Sequence, residues 1–138
     1  MSPNPGSEPI VRHLAALEWE TKADQKAEVA ALAEQADATG ARRSRLTTGQ
    51  HGFHSHISEM PAGFEVPPHT HDISEHMTVL DGALHVSDGT VLATGDTVVI
   101  PANHLYGFTV GDEGVRFLVV RAADAATFVR PTNTTWPL

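Results

Sequence analysis

From Arg42 onward the chain alternates apolar and polar residues in short runs, and each run ends in turn chemistry. The alternation predicts strands at 42–47, 52–60, 66–71, 75–81, 83–87, 90–93, 97–100, 105–110 and 115–121. The breaks carry Pro61-Ala62-Gly63, Asp81-Gly82, Ser87-Asp88-Gly89, Thr94-Gly95-Asp96, Pro101-Ala102-Asn103 and Gly111-Asp112-Glu113-Gly114. All are residues that set tight turns. Turns at such regular, short spacing belong to an all-β sandwich or barrel.

Before Arg42 the pattern is different. Residues 1–12 read as a loose leader, and Leu14, Leu17 and Trp19 form a small apolar group that can pack on the domain. Thr21 and Asp24 resemble a capping box, so a helix is predicted over about 22–38. Its apolar stripe is Val29, Leu32, Ala33 and Ala36, and Gly40 stops it. The tail from Pro131, with Trp136, is irregular. The expected organisation is leader and helix over 1–40, barrel over 41–130 and tail over 131–138.

Composition narrows the function. At 138 residues the chain is one domain with room for a real core. Its net charge of −8, with Arg42-Arg43-Ser44-Arg45 as the one basic run, argues against nucleic acid or an anionic membrane as partner. That run reads either as a solvated strand end or as an anion site. Cysteine is absent, which excludes disulfides, thiolate zinc and cysteine catalysis. No apolar run approaches the ~20 residues that span a bilayer. The polar Met1–Ser7 start does not resemble a signal peptide, so a cytoplasmic location is expected.

One window carries chemistry. His69 and His71 lie two apart, hence on one face of a strand, and a short turn can return Glu75 to meet them. Imidazole with carboxylate suits Zn, Fe, Mn, Ni or Co better than Ca or Mg. His54 and His56 repeat the two-residue spacing on the preceding strand. Facing inward they would orient substrate; facing outward they are surface residues, and apolar Phe53 and Ile57 lean slightly towards the latter. His76 is expected between sheets and His85 at the surface.

With these residues in hand, the chain resembles the cupin superfamily. Gly63, five residues, His69-Thr70-His71, three residues, Glu75, six residues and Gly82 match the first cupin motif in full. The second motif is partial: Gly95, five residues, Pro101, then Asn103 for the usual glycine and Tyr106 for the usual histidine. Asn tolerates positive φ and can serve that turn. The resemblance implies a cupin-type double-stranded β-helix, or jelly-roll barrel, behind one N-terminal helix. It also implies one divalent transition metal (Fe, Zn, Mn or Ni) on His69, His71 and Glu75, a small-molecule substrate or ligand, and a homodimer. Tyr106 would stand beside an open coordination position as hydrogen-bond donor or general base, and His104 is a candidate to complete the site. The functional expectation is a metal-dependent enzyme, dioxygenase-like or a Lewis-acid lyase, isomerase or cyclase. The alternatives are a non-catalytic sensor cupin, and metal-free isomerase or dehydratase chemistry resting on a His/Tyr pair, which needs His54, His56 or His104 close to Tyr106.

Overall fold

The computed structural model describes residues 8–20 and 40–129. The helix expected over 22–38 and the tail with Trp136 lie outside the described residues. A 3-10 turn spans Leu14–Ala16. Eight strands follow: β1 (Arg42–Thr48), β2 (His54–Met60), β3 (Glu65–His71), β4 (Glu75–Val86), β5 (Val91–Ala93), β6 (Thr97–Ile100), β7 (Tyr106–Arg121) and β8 (Thr127–Val129). Every pairing is antiparallel, in the order β1-β2-β7-β3-β8, with β4 joined to β5, β6 and β7. The result is one curled, all-β sheet of the cupin barrel type.

Two long strands replace four expected short ones. Asp81-Gly82 and Gly111–Gly114 do not end strands; they are irregularities inside β4 and β7, where the β4–β7 register jumps from Gly82↔Val115 to Leu84↔Val110. Both strands bend there instead of stopping, as bulges allow. Gly82 is required at this crossing. Its φ is +89°, and a Cβ on it would lie 2.0 Å from the Gly114 carbonyl oxygen. Strand β8, unmarked by any alternation long enough to see, adds to β3 through His69↔Val129 and His71↔Thr127.

The bends place both halves of β7 around one core. Phe108 and Phe117 come from opposite halves and meet edge to face at 5.8 Å. Val79, Leu84, Val110 and Val119 are almost fully buried beside them. Each such side chain contributes about 1.5–3 kcal/mol on burial. The apolar residues fill one part of the barrel, and the polar residues that also point inward gather in the other.

Period-two alternation decides which polar residues these are. Arg45, His56, Val119 and Met77 form one row across β1, β2, β7 and β4. His54, Arg121 and Glu75 form the next row. Since Met77 and Val119 are buried, His56 shares the inward face. Of the two orientations left open by the sequence, His56 takes the inward one: it is 7% exposed, while Phe53 is 54% exposed on the outside. His76 is corrected, since it is exposed; it pairs with Val99, itself 66% exposed, on the outer face. His85 is exposed as expected.

Candidate functional site

The site begins with two prolines. Pro67 and Pro68 offer no N–H to a ladder, and the β3–β7 register slips between Val66 and His69. The slip shifts the phase of burial, so that both His69 and His71 turn inward at 6% and 9% exposure. His69 lies directly opposite Tyr106 on β7. Glu75, the first residue of β4, is 2% exposed and lies opposite Arg121. Asn103 takes φ +65° in the turn before β7, as expected, and its N–H donates to the His71 carbonyl at 2.7 Å.

The side chains form one cluster. The His69 and His71 rings meet edge to face at 4.8 Å, and Tyr106 lies 4.4 Å from His69. The Tyr106 hydroxyl donates a short hydrogen bond to Glu75 Oε1. Arg121 donates Nε and Nη2 to Glu75 Oε2 at 3.0 and 2.7 Å. The same Nη2 lies 3.4 Å from His71 Nε2.

These partners fix the protons. The His69 Nδ1–H donates to the Pro67 carbonyl at 2.8 Å, which leaves the lone pair on Nε2. His71 Nδ1 meets Thr127 Oγ1 at 2.9 Å, and with Arg121 donating to Nε2 the His71 proton belongs on Nδ1. Burial lowers the pKa of His69, against the opposing pull of the Pro67 carbonyl and Glu75. Burial also lowers His71, to about 4. Both rings are neutral at pH 7. Tyr106 is raised well above the usual phenol value by burial first and by Glu75 next, so it remains a protonated donor.

The donor set decides how well a divalent cation fits. In favour, each imidazole is anchored through Nδ1 and keeps Nε2 for ligation, as metal-binding histidines do. Against it, both Glu75 oxygens are engaged, and the His71 lone pair faces a guanidinium. Two unit charges about 4 Å apart interact by about 4 kcal/mol at an effective dielectric near 20, and a divalent ion doubles the repulsion from Arg121. Among the described residues, no three His, Asp or Glu converge on a metal position. The three residues of the motif are brought together, but with Arg121 in place they do not fit a divalent cation.

The other expected site residues divide. His54 is half-buried in the row with Arg121. His104 is exposed on its turn. Arg121 was missed from sequence. Its signal was present: Phe117, Val119 and Arg121 continue one inward stripe, so a charge closes a row of buried apolar residues. Thr127 had no signal.

Residues 56–121 of the chain match the cupin domain family. No curated protein matches it. Solved structures similar to it include an RmlC-like cupin from Shewanella frigidimarina, 21% identical, with TM-score 0.63, covering 85% of this chain and 93% of that one. A cupin-superfamily sugar phosphate isomerase from Silicibacter pomeroyi is 20% identical, with TM-score 0.62, covering 86% and 80%. The polyketide cyclase RemF from Streptomyces resistomycificus is 24% identical, with TM-score 0.56, covering 64% and 70%. At these identities the likeness establishes the fold alone.

Proposed function

We propose that this cupin is an enzyme of the isomerase, cyclase or lyase kind, moving a proton next to a carbonyl on a small organic metabolite. One observation carries this reading: His69 Nε2 holds a lone pair and has no hydrogen-bond partner among the described residues. In that role the imidazole takes a proton from the carbon beside the carbonyl, the C–H electron pair becomes a C=C bond, and the carbonyl π pair moves onto oxygen to give an enolate. Arg121 offers that oxygen a fixed positive charge, and His69 returns the proton at a second position. The neutral state of the ring at pH 7 supports its role as base. The isomerase and the cyclase among the structural neighbours support the class. Tyr106 positions Glu75, and thereby Arg121, rather than moving the proton.

The test is loss of carbon-bound hydrogen in D2O, followed by proton NMR across a panel of small ketones and keto acids. Exchange should be catalysed by the wild type and fall at least ~100-fold in His69→Gln, the usual scale for a general base. Equal rates in both proteins would overturn the assignment.

A second reading keeps the metal: a dioxygenase-like or Lewis-acid enzyme using His69, His71 and Glu75. It is favoured by the two Nδ1-anchored imidazoles and requires Arg121 to leave Glu75. Elemental analysis after loading with Fe, Zn, Mn or Ni distinguishes the two. A cytoplasmic homodimer completes the proposal. Leu80, Val91 and Val99 expose apolar surface on the outer face of β4, β5 and β6, which suits pairing of two copies. Light scattering after size-exclusion chromatography tests it.

A further inference from the structure

His56 stands apart from the cluster in one respect. Every fully occluded side-chain nitrogen or oxygen among the described residues has a hydrogen-bond partner. His56 is 7% exposed, and neither of its ring nitrogens has a hydrogen-bond partner among the described residues. The polar edge of this otherwise buried ring is therefore not fully occluded, and a ligand can reach it.

Its surroundings are cationic. Arg45 faces it directly across the β1–β2 ladder, and Arg121 is in register with His54, two residues along. His56 is lowered well below the ordinary histidine value, by burial first and then by Arg43, Arg121 and Arg45. The ring is thus a neutral donor in a positive field. Arg45 already shows which group that field accepts. It donates Nε to Glu20 Oε1 at 2.8 Å, while Arg43 takes Oε2 of the same carboxylate at 2.9 Å. Glu20 uses one of the five N–H donors of Arg45, and no other described residue takes the rest.

We propose that His56 and Arg45 form a carboxylate-binding subsite on the pocket wall, so that the substrate is a small carboxylic acid. The acid group accepts a hydrogen bond from His56 and a charge-assisted pair from the Arg45 Nη atoms. Its reacting end then points along Arg121 and His71 towards His69. The basic run at 42–45 is divided by strand alternation: Arg43 and Arg45 face inward, while Arg42 stacks on Trp19 at 3.8 Å on the other face. The subsite rests on the reading of this pocket as a substrate pocket but not on the identity of the base.

Binding, not turnover, tests it. Acetate, propionate and benzoate are titrated against the full chain by calorimetry, each beside its uncharged amide. At least one acid should bind ~10-fold or more tightly than its amide, as expected for hydrogen bonds to an ionised group. The preference should vanish in His56→Leu and in Arg45→Gln; the latter changes a partly exposed residue and keeps the core intact. It should persist in His69→Gln. Absence of any acid preference, or a preference that survives both substitutions, overturns the subsite. Lost hydrogen exchange in His69→Gln with the preference retained confirms the base separately, and unchanged exchange there removes the base and leaves the subsite standing.

Discussion

Arg121 and Glu75 face each other across the β4–β7 ladder, and two guanidinium nitrogens converge on one carboxylate oxygen at 2.7 and 3.0 Å. The carboxylate is almost wholly buried, and the arginine side chain is 12% exposed. Water cannot replace either partner.

Breaking this pair from one side should therefore cost much more than a surface ion pair. Arg121→Met leaves a buried carboxylate uncompensated and should destabilise the protein by about 3–5 kcal/mol in urea denaturation. The double variant Glu75→Leu, Arg121→Met should recover most of that loss. A cost below ~1 kcal/mol for the single variant would show that the pair is solvated.

The same substitution bears on metal. Arg121→Gln removes the repelling charge while His69, His71 and Glu75 stay in place. Zinc affinity measured by calorimetry should rise by at least ~10-fold relative to wild type, a change of about 1.4 kcal/mol against a Coulomb term several times larger. Wild-type protein that already binds one equivalent tightly would favour the metal-dependent reading instead.

Acid should destabilise the fold before its carboxylates titrate. His56, His69 and His71 all have folded pKa values below the ordinary histidine value, so the unfolded chain binds more protons. Stability contributed by the neutral rings is complete above about pH 6.5 and is lost as the pH falls towards 4, the value near which His71 protonates when folded. For His71 alone the loss across that window is on the order of 3 kcal/mol. Denaturation midpoints in chelator-treated buffer at successive pH values measure it, and a flat profile between pH 7 and 5 would contradict it.

Gly82→Ala tests the bend. The new methyl would meet the Gly114 carbonyl, and the residue would be held at φ +89°. A loss of at least ~2 kcal/mol in thermal or urea unfolding is expected. The same change at Gly89, where φ is +95° but no atom lies within 4 Å, should cost less, since only the backbone strain remains.

The sequence revealed most about the fold where a short strand lies between unambiguous turn residues. Strand β6 is found at its expected bounds of 97–100, and β3 within one residue of them. The breaks expected at 81–82 and 111–114 lie inside strands because Asp-Gly and Gly-x-x-Gly serve a bulge as well as a turn, and only the partner strand decides. The motif residues His69, His71 and Glu75 were legible from spacing. Their partners were not, because Arg121 and Thr127 reach them from strands more than forty residues away. Spacing left the facing of His56 open, since apolar neighbours on an outer face can be half covered too, as Ile57 is.

Tyr106 and Arg121 are the first and last residues of β7, and both end on the carboxylate of Glu75. Sixteen extended residues laid straight would hold those ends about 50 Å apart. Glu75 thus works as a buckle that closes a belt. A ligand that drew this carboxylate aside would loosen both ends of the belt at once.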